Sequence, residues 1–294
     1  MKFKQITIIG TGLIGGSLAL AIKKHRLAAK VVGCDRDSVL KRALEIGAID
    51  VGEPLGERAI QNSDLVVLAT PVGAIIEFIE RLGPLLPSST LLTDVGSTKA
   101  EITRRAAMVF GAAAGSRFLP GHPVAGKEHG GIEQADAVLF DGAAWIFTPA
   151  DSSKAAPQKS FTQLVEAIGA KIIFMPPERH DRLCAWISHL PQIISTAVAG
   201  SLLDEFGDVH ELNRIGGRAL RELTRTASSP YSVWRDIAYT NAANIEQALL
   251  NLEQRLAHIR ENLKTPELRA EFERANLFRK SNSTAKTPRT ESDA

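Results

Sequence analysis

The sequence predicts an α/β domain followed by an all-α domain, and two observations carry that prediction. Up to Pro177, short β-branched apolar runs alternate with stretches of helical apolar spacing; from Glu178 onward the strand signal disappears. With 294 residues, 44% of them hydrophobic and 23% charged, the chain is long enough to give each part its own core. The expected division is residues 1–177, residues 178–280 and a short tail, 281–294.

KQITIIG, AKVVGCD, DLVVLATP and STLLTDVG read as strands: brief, rich in β-branched residues and bounded by turn formers. Between them, GGSLALAIKKHRLA, RDSVLKRALEIG and VGAIIEFIERLGPLL carry helical spacing. Such alternation implies right-handed βαβ units and a parallel sheet covered on both faces. AAWIFTP and AKIIFMP, on either side of the helix SFTQLVEAIG, are expected to extend the same sheet. After Glu178, HDRLCAWISHLPQIISTAVAGSLLDEF, AANIEQALLNLEQRLAHIRENL and TPELRAEFERANLF read as helix. The pattern in ANIEQALLNLEQRLAHIREN suits either a helix on its own core or a subunit interface. SNSTAKTPRTESDA has few apolar residues and is expected to be disordered.

Bulk properties exclude several classes. A net charge of +2 is too small to argue for nucleic acid or a membrane surface. Cys34 and Cys184 have neither metal-ligand spacing nor a disulfide framework, which fits two small core residues in a reducing cytoplasm. MKFKQITIIG shows no cleavage pattern, and no apolar run is long enough to span a bilayer.

GTGLIGG follows the first strand directly and opens the first helix, with Gly10, Gly12 and Gly15 in G-x-G-x-x-G spacing. Glycines there permit a tight turn and close approach of a pyrophosphate, and the helix N-terminus favours its charge. Asp35 ends the second strand, where an acid that binds ribose hydroxyls is expected. Together these predict a Rossmann-type dinucleotide-binding domain, with Gly10, Gly12, Leu13, Ile14 and Gly15 along the pyrophosphate and Asp35 on the adenosine ribose. A carboxylate at Asp35 repels a 2′-phosphate and selects NAD; the adjacent Arg36, which could accept that phosphate, leaves some NADP use open. Thr70 and Pro71, in ATPV at the carboxyl end of a strand, are expected to border the cofactor.

A nicotinamide site that oxidises an alcohol needs a group to take the hydroxyl proton. His122, between Gly121 and Pro123 in FLPGHPVAGKEHGG, is held at a defined place on a loop; it is either an ordinary surface histidine in a turn or a neutral imidazole suited to that task. Ser97, in DVGSTK, lies on a loop at the ligand edge; alternatively it or Thr98 caps the helix KAEITRRAAMVF.

GTGLIGGS, DVGSTK, GHPVAGKE, HDRLCAWISHLP and LTRTASSPYSVWRDI, in that order, resemble the prephenate and arogenate dehydrogenases of tyrosine biosynthesis, from about Lys4 to about Leu277. The resemblance implies a dinucleotide-binding domain joined to a helical domain that forms a homodimer. It implies NAD-dependent oxidative decarboxylation of prephenate to 4-hydroxyphenylpyruvate, or of arogenate to tyrosine. By motif, His122 would accept the proton of the ring hydroxyl, Ser97 would orient that hydroxyl, and Arg225 of LTRTASS would pair with the ring carboxylate in two hydrogen bonds. Asp181 could hold such an arginine in place or cap a helix, and Trp234 could wall the pocket or sit in the core. Many prephenate-preferring members read SHLPH, whereas this chain reads SHLPQ. Gln192 therefore loses a cation near the substrate side chain and shifts the expectation toward arogenate or mixed use. His189 is expected to support helix packing, and Lys127 and Glu128 are candidates for the pocket mouth or simply solvated loop charges. The competing readings are another two-domain dehydrogenase of the β-hydroxyacid or reductase type, and a cofactor-binding sensor without catalysis.

Overall fold

A computed structural model describes residues 3–54, 57–127, 129–149, 156–207 and 209–284. The first strands and helices alternate as β1 (Phe3–Ile9), α1 (Leu13–Lys24), β2 (Ala28–Cys34), α2 (Asp37–Glu45), β3 (Val51–Gly52), α3 (Glu57–Ile60), β4 (Leu65–Leu68), α4 (Val72–Leu82), β5 (Leu91–Asp94) and α5 (Ala100–Phe110). The short α6 (Ala114–Arg117) leads into β6 (Phe118–Leu119). These strands form one parallel sheet in the order β3-β2-β1-β4-β5-β6. The chain crosses over between β3 and β4, which places the carboxyl ends of β1 and β4 side by side at the point where ligands bind such sheets.

Strand periodicity explains why both faces are covered. In β4, Leu65 and Val67 pack with Leu18 and Ile22 of α1, while Val66 and Leu68 pack with Ile75 and Ile79 of α4. Successive side chains point to opposite faces, so an unbroken apolar run buries itself twice. In α4, the buried Val72, Ile75, Ile79 and Leu82 recur every three or four residues and give the helix one apolar stripe.

The later strands do not extend this sheet. β7 (Gly121–Pro123), β8 (Ala144–Phe147) and β9 (Lys171–Phe174), with α7 (Ala156–Ala167) between the last two, form a separate three-stranded sheet. β7 runs antiparallel to β8, and β8 parallel to β9. The expectation of one continuous sheet fails because Pro120 interrupts the chain between β6 and β7, and the new direction is fixed by pairing with β8. His122 is accordingly not on an open loop: it is the middle residue of β7, opposite Ile146. Trp145 beneath it is fully buried against Phe140, Phe147 and Phe161.

From Pro177 the described chain is helical: α8 (Pro177–Cys184), a π-helical turn over Ala185–His189, α9 (Leu190–Phe206), α10 (His210–Ile215), α11 (Arg218–Thr224), α12 (Tyr231–Thr240), α13 (Ala242–Glu261) and α14 (Pro266–Thr284). Two compact units divide inside α13: the first ends at Ile245, the second begins at Glu246. Within the second, Arg255 pairs with Glu271 across α13 and α14. α14 continues to Thr284, four residues into the stretch expected to be disordered, since a formed helix adds residues at little cost. Residues 285–294 lie outside the described residues. Among the described residues, no helix is long and apolar enough to cross a membrane.

Candidate active site

The glycine loop leaves β1 through Gly10, whose φ of +92° is open to glycine but strained for other residues. A Cβ on Gly10 would strike Ala69 O at 2.5 Å and Thr70 Cγ2 at 2.8 Å, so the loop lies directly against the end of β4. Gly12 is different: a Cβ there would meet nothing within 4 Å. It also stands at the N-terminus of α1 with no side chain capping the helix, which leaves backbone N–H groups and open space for a pyrophosphate. Leu13, Ile14 and Gly15 form the first turn of α1, Gly15 packed under the carbonyl of Gly10.

Asp35, just past β2, accepts from Thr11 N at 2.7 Å and from Arg36 N at 2.8 Å. The carboxylate is thereby tied to the glycine loop while keeping lone pairs for ribose hydroxyls. Arg36 is exposed, and Pro71 precedes α4, also exposed. Thr70 Oγ1 is buried without a hydrogen-bond partner among the described residues. Open glycine loop, oriented carboxylate and orphaned hydroxyl all fit a bound dinucleotide.

His122, half-buried, heads a relay through the buried His180 and Asp181. Its Nδ1 lies 2.8 Å from His180 Nε2, and His180 Nδ1 lies 2.8 Å from Asp181 Oδ1. An ionised carboxylate can only accept, so His180 carries its proton on Nδ1 and presents a bare Nε2. His122 must then donate from Nδ1, and its own Nε2 is left with the lone pair that a base requires. Burial, together with the repulsion of His180, Lys99 and His189, holds the His122 imidazole well below its ordinary value, so it stays neutral.

Two further groups fix His122 through its neighbour. Asp94, at the end of β5, accepts from Gly121 N at 3.3 Å and from Gly96 N at 2.8 Å. Lys99, fully buried, pairs with Asp94 and donates to Gly121 O at 2.7 Å. Burial pushes the Asp94 carboxyl up and the Lys99 ammonium down, and their mutual contact opposes both shifts. Gly121 is thus held at both its N–H and its carbonyl. A Cβ on it would meet Trp145 Nε1 at 2.9 Å, so only glycine fits.

Ser97 lies half-buried in the same β5–α5 loop and does not cap α5. That duty falls to Asp181, which accepts from Lys99 N at 2.7 Å and Ala100 N at 2.9 Å. The suggestion that Asp181 steadies Arg225 is therefore corrected: its carboxylate is engaged by α5 and His180. Arg225, exposed after α11, shares a cleft of about 550 Å³ with Gly126, Lys127, His129 and Gln134. Lys127 donates to Gln134 O at 2.8 Å. Glu128 lies outside the described residues.

Gln192 does not line that cleft. It is buried, donates to Thr226 O at 2.8 Å, and lines a largely apolar cavity of about 370 Å³ with Trp234 and Tyr231. The amide therefore holds the residue next to Arg225. His189 packs edge-on to Trp234 at 6.0 Å and meets Asn241 Nδ2 at 3.1 Å. Sequence reasoning passed over His180, Lys99, Asp94 and His129. The adjacent His180–Asp181 pair opening a helix was the one visible signal.

A dinucleotide fold with a relayed neutral imidazole beside it defines an NAD-dependent oxidoreductase. Residues 18–174 match the family described as "Prephenate dehydrogenase, nucleotide-binding domain", and residues 176–277 match "Prephenate dehydrogenase, dimerization domain". A prephenate dehydrogenase of Lactococcus lactis is 31% identical over 258 residues, covering 87% of this chain and 70% of that protein. A cyclohexadienyl dehydrogenase of Zymomonas mobilis is 31% identical over 244 residues, covering 82% of each. The crystal structure of A. aeolicus prephenate dehydrogenase, in complex with hydroxyphenyl propionate and NAD+, superposes with a TM-score of 0.83 at 27% identity, over 97% of this chain and 98% of that one. This chain belongs to the prephenate dehydrogenase family.

Proposed function

We propose that this chain oxidises the ring hydroxyl of prephenate, arogenate or both with loss of the ring carboxylate as carbon dioxide, and that His122 is the base. The relay of His122, His180 and Asp181 carries this reading, because it leaves His122 Nε2 as the acceptor. Bound NAD supplies the hydride acceptor. Gly10, Gly12, Leu13, Ile14 and Gly15 hold its pyrophosphate, Asp35 its ribose, and Thr70 and Pro71 flank it. His122 Nε2 takes the hydroxyl proton, and the resulting imidazolium is stabilised through His180 by the Asp181 carboxylate. Ser97 orients the hydroxyl. Arg225 binds the ring carboxylate until it leaves, with its guanidinium fork matched to two oxygens. Gln192 acts on substrate choice by setting the position of the Arg225 segment, through Thr226.

Residues 1–177 hold the cofactor in this reading, and the helices from 178 complete the substrate site and the dimer. We place the reaction in the cytoplasm, consistent with two free cysteines. The deciding experiment compares initial rates of NADH formation with prephenate and with arogenate. Turnover of at least one is expected, and none with either would overturn the assignment. His122→Asn should lower turnover by roughly 10²–10⁴-fold with NAD affinity nearly unchanged; loss of both together would refute the role as base.

A further inference from the structure

We propose that a thiophilic divalent cation of the zinc class binds between His122, His180 and Cys184 and silences the enzyme. The inhibitory part rests on His122 being the base; the site itself does not.

Three ligand atoms converge. His180 and Cys184 are one turn apart on α8, and His180 Nε2 lies 3.5 Å from Cys184 Sγ. His122 Nδ1 enters from β7 at 2.8 Å from the same nitrogen, and all three atoms lie within 4.8 Å of one another. Tetrahedral zinc at about 2.0–2.3 Å from nitrogen and sulfur needs ligand atoms roughly 3.3–3.7 Å apart; the His180–Cys184 pair already meets this, and His122 Nδ1 has to draw back from His180 by about half an ångström and come within that range of Cys184 Sγ, from which it lies no more than 4.8 Å. Two imidazoles and a thiolate suit zinc, cobalt or cadmium and disfavour magnesium or calcium. The support behind the ligands is present as well: His180 Nδ1 is already held by Asp181 at 2.8 Å, the carboxylate–histidine pairing that orients metal-binding imidazoles. The half-buried His122 leaves the fourth position for water.

Proton balance links binding to inhibition. Without metal, Cys184 is a buried free thiol. On binding, the S–H proton is released to solvent and a sulfur–metal bond forms, with no change of oxidation state. His122 Nδ1 gives its lone pair to the cation, and its ring proton moves to Nε2. The nitrogen that should accept the substrate's proton is then itself a donor. The cation therefore inhibits by imposing the wrong tautomer.

The test uses the whole 294-residue chain. Cobalt(II) titration should give a thiolate-to-cobalt charge-transfer band saturating at one ion per chain, and zinc should suppress turnover reversibly, with EDTA restoring it. Cys184→Ser and Cys184→Ala should keep the zinc-free rate, lose the band and become roughly tenfold or more less sensitive to zinc. Cys34→Ser, buried at the carboxyl end of β2 and outside the cluster, should keep the parent's band and zinc sensitivity. Undiminished zinc inhibition in both Cys184 variants, or absence of the cobalt band in the parent, would overturn the site. A band with full turnover would overturn the tautomer argument. A band in a protein inactive on both substrates would uphold the site while removing the proposed reaction.

Discussion

His122 illustrates how partners set the state of one residue. In the proposed reaction the imidazole works unprotonated, and because its affinity for a proton is depressed, the active form persists to lower pH than an ordinary histidine would allow. The kcat/KM profile should accordingly stay level through the region near 6.5 and fall only in more acidic solution. A midpoint at 6.5 would contradict the assignment. Arg225→Ala should raise KM by roughly tenfold to a hundredfold, the worth of one charge-assisted contact, with a smaller effect on kcat; an unchanged KM would count against a carboxylate contact. His122 and Asp35 could be read in the sequence because each sits at a fixed offset from glycines or a strand end. His180 offered only its place beside Asp181 at the start of a helix, since its significance is a 2.8 Å contact with a residue 58 positions away.

Elements of the helical segment hold the dinucleotide-binding one at the tips of its helices. Asp181 of α8 caps α5, and Asp236 of α12 accepts from Gly73 N in the first turn of α4 at 2.9 Å. Asp181→Asn removes the negative charge behind His180 and sets an amide donor against one of the N–H groups that the carboxylate now accepts from. It should cut kcat by about 10²-fold or more without altering NAD affinity, a split that simple unfolding would not produce. Lys99→Met leaves the Asp94 carboxylate buried and unpaired and should cost about 3–5 kcal/mol in urea unfolding; a change below 1 kcal/mol would show that the pair is not needed for stability. Periodicity revealed most strands of the main sheet and the long helices. It could not reveal the second sheet, because three-residue β7 has no pattern of its own and is defined only by its pairing with β8.

At the scale of the whole molecule, much apolar surface is left for another chain to cover: Trp186, Ile187, Leu203 and Phe206 near α8 and α9, and Leu256, Phe272 and Phe278 on α13 and α14, are all exposed. The dimerization family over residues 176–277 explains why. Sedimentation should give twice the chain mass of 31.7 kDa, and a monomer at micromolar concentration would be inconsistent with these faces. Acid should loosen the fold before it discharges the carboxylates. His189 is pushed by burial to about 4, so between 6.5 and 4 the unfolded chain binds a proton that the folded one refuses. Melting temperature should therefore decline across that window, and a flat profile would argue against a buried neutral His189. The two caps have a last consequence, one of addressing. The N-termini of α1, α4 and α5 all carry partial positive charge at the carboxyl edge of the sheet, where an anion could be bound in several registers. The chain's own carboxylates occupy two of these three ends, and α2 at the same edge carries Asp37 in its first turn, so in the proposed reading α1 is the berth left for the phosphates and the cofactor's orientation is decided by which ends are already taken.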